Sequence, residues 1–435
     1  MIQENVVRRV VRFGLPIVIL VFYLTASLGF SYTPDSTFLS VQYAKSSGLS
    51  SGDMIPSPLW LLFVTTGSVL QLDLVLTAKV FSLFFSCLAI LVAYLLAYEV
   101  LVDRLLAFCV SLIVAMQSWL LQAAPSGNAI GLGLMLSLTV LFFLLRNEYI
   151  LAAFTAGLCM MVFWQAVGLM LFLVVDVFIN SIDRRHALNT ALSATVVFVT
   201  ALLPWIVFAI WRGVHPIAAL VPLNEFPPVS ITMSIALGVL VLMMGSGIYF
   251  LTSSGGDGRR ILTNQIAPAL WILWLLVVGI SGNEELLFLI TPLLVAYAFL
   301  GLVQLIRQMR LQSLGYMLPF VITGLLLAQN QLTLISNTSL EMTRSNEHSS
   351  ELRSIAYWLT ANAETSVSVS AERRGIIGYY TDRPIGRFEP GTAPQSDLVV
   401  TAARNIDGYE LAFRPIREHS ELTEHDGHFA VWRKK

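Results

Sequence analysis

The sequence predicts an α-helical polytopic membrane protein, with about 11 transmembrane helices, one interfacial helix and a small C-terminal extracytoplasmic α/β domain. Three observations lead there. Of 435 residues, 56% are hydrophobic and only 12% charged, about half the charged share of an ordinary soluble domain. The charge is uneven: residues 1–335 hold 14 Lys/Arg and 13 Asp/Glu, and residues 336–435 hold 12 and 14. The charge-poor part also breaks into apolar runs approaching the roughly 20 residues a helix needs to cross about 30 Å of hydrocarbon. These shifts divide the chain into a membrane domain, 1–335, and a soluble domain, 336–435.

Taken in order, Arg8, Arg9 and Arg12 precede the first apolar run, 13–30. No small-x-small site follows Phe30, so this run reads as an uncleaved span. Residues 31–57 form a first outer loop. The run PLWLLFVTTGSVL (58–70) is too short to span and reads as an interfacial or re-entrant helix. Further spans are expected near 74–98, 105–121, 128–145, 149–164, 166–181, 187–211, 231–252, 263–281, 286–306 and 314–335. The short pair 149–164 and 166–181 is either one hairpin or two kinked spans. With this parity Arg104, Arg146, Arg184/Arg185, Arg259/Arg260 and Arg307/Arg310 share a side with the N-terminal arginines. The other side holds little beyond Lys45 and Arg212. The positive-inside rule then makes the N-terminus cytoplasmic and the first loop and C-terminal domain extracytoplasmic, in a multi-pass plasma-membrane protein among membrane lipids. Cys87, Cys109 and Cys159 fall in apolar runs and read as small core residues. A net charge of −1 with no basic stripe excludes a nucleic-acid partner.

In the soluble domain, SELRSIAYWLTA (350–361) has helical spacing that puts Leu352, Ile355, Ala356 and Leu359 on one face. Short β-prone runs follow: TSVSVSA, GIIGYY, SDLVVTA and HFAVW.

Ionisable groups are costly in lipid unless they meet a cavity, a partner or the interface. The expected outer side gathers Asp35, Lys45, Asp53, Asp73, Arg212, His215, Glu225, Glu284 and Glu285. Asp35, just past the first span, either takes a proton from an incoming hydroxyl, helped by partial burial, or caps the helix starting after Pro34. Lys45 and Lys79 either pair with a lipid phosphate or snorkel. Asp176 lies near the inner end of a span, where interfacial solvation accounts for it. His419, His425 and His428 match no standard metal-ligand spacing, and Asn337-Thr338-Ser339 is a sequon of a kind that chance supplies readily.

The stretch PDSTFLSVQYAKSSGLSSGDMIPSPLW (34–60) resembles the first outer loop of multi-pass, polyprenyl-phosphate-sugar-dependent glycosyltransferases of the GT-C type, a group that includes protein O-mannosyltransferases and lipid A aminoarabinose transferases. Asp35 stands at the first acidic position of that loop, Tyr43-Ala44 at the end of its helix motif, and Ser57-Pro58-Leu59-Trp60 at its closing motif. Pro125-Ser126-Gly127 is similar to an outer turn, Ile290-Thr291-Pro292-Leu293-Leu294 to a late span, and IAYWLTANAETSVSVSAERRGIIGYY to the start of the extracytoplasmic domain. The resemblance implies an inverting transferase. A sugar on a polyprenyl phosphate enters from the bilayer, Asp35 acts as base, and a hydroxyl of a lipid, glycan or protein acceptor attacks. The leaving phosphate then needs cations or a metal-assisted partner. It implies no certain cofactor and leaves a divalent metal open. Substrate or lipid-phosphate contacts fall to Lys45, Asp53, Lys79, Asn128, Gln165, Arg212 and His215. Ser36 and Gln42 replace the second acidic residue and the helix Arg of the pattern, Trp164-Gln165-Ala166 replaces an Arg-Pro-Glu, and Glu284-Glu285 stands where a basic residue is usual. Two other readings therefore stay open: a catalytically silent lipid-binding or scaffold protein of the same fold, and a secondary transporter, for which no paired halves are visible.

Overall fold

A computed structural model describes residues 4–27, 33, 35–45, 57–181, 183–211, 266–280, 289–308, 321, 323–324, 348–364, 366–388, 390–392, 394–403, 405–415 and 428–435. The span expected at 231–252, most of 314–335 and the boundary at 335/336 lie outside these residues.

Helix α1 (Glu4–Ser27) takes the place of the first span. Val11, Leu15, Val18, Phe22 and Ala26 are its buried stripe, while Phe13, Ile17, Leu20 and Leu24 are exposed. A helix apolar on both faces is one whose outward side meets lipid. After α2 (Asp35–Lys45) comes α3 (Pro58–Val69), whose 12 residues reach roughly 18 Å at 1.5 Å per residue, too short to span. Helix α4 (Leu74–Leu101) begins at Asp73, whose Oδ1 accepts from the Leu76 N–H at 2.9 Å.

The span expected at 105–121 is broken. Helix α5 (Arg104–Ala115) stops at Met116, and α6 (Ser118–Ala123) continues at 58° to it into a 3₁₀ turn, Ala124–Ser126. Helix α7 (Ile130–Leu145) then runs alongside α4 in the same direction: Arg146 Nε lies 3.9 Å from a carboxylate oxygen of Glu99, joining their C-terminal ends. The open alternative at 149–181 is settled as two helices, α8 (Tyr149–Met160) and α9 (Val167–Asn180), about the turn Trp164–Ala166. At roughly 18 and 21 Å they form a short apolar hairpin. Asp176 on α9 is buried beside Tyr149 and Asn180 rather than solvated at the interface, because α9 turns that side inward. Helix α10 (Arg184–Trp211) exposes Leu188, Leu192, Val196, Val199, Leu203, Val207 and Ile210 as one outward apolar stripe. Helices α11 (Ile266–Ile280) and α12 (Thr291–Gln308) follow. Among the described residues, three helices are long and apolar enough to cross a membrane, or four if the α5–α6 pair counts as one span.

Small residues let these helices approach, as packing between helices in lipid requires. A Cβ on Gly131 of α7 would lie 2.9 Å from the Ser86 nitrogen and 3.0 Å from the Ser82 carbonyl oxygen of α4. One on Gly157 of α8 would lie 2.7 Å from the Ala201 Cβ of α10.

The C-terminal part is α/β. Helix α13 (348–362) buries Leu352, Ile355, Ala356 and Leu359, as its spacing predicts. Strands β1 (Val369–Ala371), β2 (Gly386–Arg387), β3 (Leu398–Thr401), β4 (Tyr409–Phe413) and β5 (Ala430–Lys434) make one sheet in the order β2-β1-β3-β5-β4. Pairing is parallel through β2-β1-β3 and antiparallel through β3-β5-β4. GIIGYY, expected as a β-prone run, is instead the body of α14 (Arg374–Thr381). Its isoleucines suit a strand, but a neighbouring helix fits against its two glycines and overrides that preference. Strands β2 and β4 were not foreseen: β2 is two exposed residues, and the burial of β4 does not alternate along its five, so neither carries the alternating apolar signal.

Gly131→Val is expected to destabilise the α4–α7 contact by about 1–3 kcal/mol through overpacking against backbone, read as a lower melting temperature of the detergent-solubilised protein. An unchanged melting temperature would show that α7 is not seated on α4 at this point.

Candidate functional site

The site is built around α2, which is buried on two sides. At helical spacing, Asp35, Phe38 and Gln42 share one face, while Thr37 and Val41 lie toward another. Phe38 belongs to the core of the α/β domain with Leu352, Ile355, Ile376 and Ile377, its ring 5.2 Å from that of Tyr379. Val41 belongs to the core of the helical part with Trp60, Val64 and Ala78.

On the first face, both carboxylate oxygens of Asp35 are engaged. The Ile376 N–H donates to Oδ1 at 2.8 Å and the Gly375 N–H to Oδ2 at 3.1 Å. Asp35 therefore caps a helix, but one some 340 residues away: it is the first residue of α2, and its carboxylate sits on the N-terminus of α14. Burial pushes its pKa above the ordinary carboxylate value, while these two amides and the guanidinium groups of Arg373 and Arg374 pull it back down. Two turns further along, the Gln42 side-chain amide donates to the Arg383 carbonyl oxygen at 3.2 Å.

On the second face, the buried Thr37 hydroxyl donates to the Ser126 carbonyl oxygen at 2.8 Å, tying α2 to the 124–128 turn. Gly127 there has φ +82°, the left-handed region glycine favours. A Cβ on it would lie 2.9 Å from Thr37 Cγ2 and 3.2 Å from Lys79 Cγ, so α2, this turn and α4 interlock. Lys79 is 6% exposed, which sets aside snorkelling into water. Asn128 adjoins the same turn and accepts from the Ile130 N–H at 3.2 Å, capping α7.

The Ser57-Pro58-Leu59-Trp60 motif is a joint with a second turn. Ser57 Oγ donates to the Val162 carbonyl oxygen at 2.7 Å, and Trp60 is buried with its ring 6.4 Å from Phe85. Gln165 is fully buried in this turn. Its carbonyl oxygen accepts from the Trp274 indole N–H at 3.1 Å, while Oε1 and Nε2 have no hydrogen-bond partner among the described residues.

Of the residues the sequence singled out, Lys79 and Asn128 lie at the turn that Thr37 ties to one face of α2, Asp35 is on the other face of that helix against α14, and Gln165 belongs to the second turn. Asp53, Arg212 and His215 lie outside the described residues, as does the side chain of Lys45. Thr37 carries no motif signal and was missed. Gly375 and Gly378, three apart, were visible as a pair, but not as the seat for α2. Among the described residues, no three His, Cys, Asp or Glu side chains gather to hold a metal ion. Of His419, His425 and His428 only His428 is described, and its Nε2 lies 3.4 Å from Glu351.

No protein-family model and no curated protein matches the sequence. The structure nonetheless has the GT-C fold of membrane glycosyltransferases, and with its apolar helices marks an integral membrane protein. It is similar to the oligosaccharyltransferase AglB from Archaeoglobus fulgidus in complex with an inhibitory peptide and a dolichol-phosphate (TM-score 0.57, 12% identity, 86% of this chain and 64% of that one). It is also similar to ArnT from Cupriavidus metallidurans bound to undecaprenyl phosphate (TM-score 0.54, 12% identity, 96% and 97%). A third neighbour is the mycobacterial arabinofuranosyltransferase AftD (TM-score 0.52, 14% identity, 97% and 40%). This chain thus spans less than two thirds of AglB and AftD, but nearly all of ArnT. At such identities the likeness is one of fold.

Phe38→Ala is expected to loosen α2 from the α/β domain by about 3 kcal/mol, as for other buried aromatic truncations. Hydrogen exchange should then accelerate at 374–381, which pack on Phe38, and stay unchanged in α7. Equal exchange in both forms would mean that Phe38 does not hold the junction.

Proposed function

We propose that this chain is a membrane glycosyltransferase that moves a sugar from a polyprenyl-phosphate donor to an envelope acceptor, with inversion and with Asp35 as the base. The observation that supports it most is the end-to-end match to ArnT bound to undecaprenyl phosphate, together with the Asp35-bearing helix lying where the helical part meets the α/β domain. In this reading the division falls near 335/336, the N-terminus is cytoplasmic and the α/β domain extracytoplasmic. The Asp35 carboxylate takes the acceptor hydroxyl proton as that oxygen bonds the anomeric carbon. The anomeric carbon–oxygen bond breaks on the opposite face, and the electron pair leaves with the polyprenyl phosphate. Lys79, buried beside the turn that Thr37 ties to α2, meets the charge growing on that phosphate, as a fixed cation in a dry site can. Gln165, with two polar atoms unpaired among the described residues in a buried turn, suits a sugar hydroxyl.

A second reading, a catalytically silent scaffold of the same fold, is favoured by one observation: both oxygens of Asp35 already hold backbone partners.

The two separate in nanodiscs supplied with a panel of polyprenyl-phosphate-linked hexoses and pentoses, by following release of polyprenyl phosphate. The transferase releases it, and Asp35→Asn lowers the rate at least about a hundredfold, the usual scale of a general base, while the protein still accumulates. No release with any donor supports the scaffold. The working form of the base is deprotonated and burial holds its pKa above the ordinary 3.8, so activity falls on the acidic side at a pH above that value. Lys79→Met keeps the apolar stem and removes the charge. It is expected to weaken binding of undecaprenyl phosphate about tenfold or more, the scale of a hydrogen bond to a charged group, and unchanged binding removes Lys79 from the phosphate site.

A further inference from the structure

The α/β domain reaches the Asp35 carboxylate with two backbone amides as well as with the charges of Arg373 and Arg374. A Cβ on Gly375 would collide with the Asp35 carbonyl oxygen and lie 2.8 Å from the Leu39 nitrogen, so the first turn of α14 rests directly on the first turn of α2. That seat brings the Gly375 and Ile376 amides to separate oxygens of the carboxylate. Each carboxylate oxygen has two lone pairs, so one amide apiece fixes the orientation of the group and leaves a lone pair on each oxygen for a proton. A backbone-to-backbone seat also defines that orientation more tightly than contacts between flexible side chains could.

We propose that Gly375 and Ile376 are positioning residues for Asp35, so that the α/β domain is a working part of the active site and not only a neighbouring module. This rests on the reading of Asp35 as the base. Side-chain identity at Gly375 matters because any Cβ must displace backbone of α2, which moves the carboxylate. Misplacement of a reacting group by about 1 Å can cost on the order of a hundredfold in rate.

The test uses the full chain in nanodiscs, with a polyprenyl-phosphate sugar that supports release of polyprenyl phosphate by the parent. Gly375→Ala is expected to lower kcat at least about tenfold, with the KM for donor within about twofold and a melting temperature lowered by overpacking against α2 but still above the assay temperature. A hydrophobic carbodiimide should label Asp35 faster in the variant, because the amides no longer cover it. If Gly375→Ala does not accumulate, Gln42→Ala, which removes the tie to Arg383, should show the same kcat loss at smaller size. Parental kcat alongside faster labelling overturns the proposal, and a higher kcat overturns it in favour of an amide pair that masks the base. Parental transfer by Asp35→Asn overturns the base reading and this inference with it. Loss in Asp35→Asn with parental kcat in Gly375→Ala overturns this inference alone.

Discussion

Helix α2 is held between two hydrophobic cores, and the arrangement of the site depends on that constraint. Eleven residues are too few to form a stable helix alone in water, so α2 owes its existence to what buries it. Phe38 enters the core of the α/β domain and Val41 that of the helical part. Polar ties repeat the pattern, with Thr37 bonded to the 124–128 turn and Asp35 and Gln42 bonded to the α/β domain. A shift of either neighbour therefore moves the carboxylate. The two segments that most resemble the glycosyltransferase pattern, near 31–60 and 355–380, are the two that meet at this helix.

The architecture was legible where a physical signal repeats along the chain. Long apolar runs gave α1, α4, α7 and α10, because lipid leaves a helix no other way to satisfy its backbone. The 3.6-residue spacing of Leu352, Ile355, Ala356 and Leu359 gave α13. The failures share a cause, which is information held by a partner. GIIGYY is locally β-prone, and only the approach of α2 shows that its glycines belong on a helix face. The break at Met116–Gln117 carries neither Pro nor Gly, and arises where the chain turns toward the 124–128 turn.

The candidate site was legible in identity but not in partnership. Asp35, Lys79 and Asn128 could be named because charge and amide side chains stand out in an apolar chain. The alternatives weighed for Asp35 were a base and a cap of its own helix. The structure gives a cap on a helix from the other end of the sequence, and no local pattern encodes that. Asp176 followed the same course: a carboxylate near a helix end reads as solvated, yet the side of α9 it occupies faces protein.

The same contact bears on whether Asp35 can work as a base. Two backbone donors at a helix N-terminus, with two arginines nearby, favour the carboxylate form and would by themselves leave a weak base. Burial acts the other way and prevails, so the group keeps its proton affinity above the ordinary range. A carboxylate in open water with the same donors would lack that offset, and one buried without them would lose its charge and its fixed orientation. The combination found here suits a group that must stay ionised, stay aimed and still accept a proton. A purely structural cap needs only the donors, whereas the proposed base also needs the partial desolvation that this part-buried position supplies.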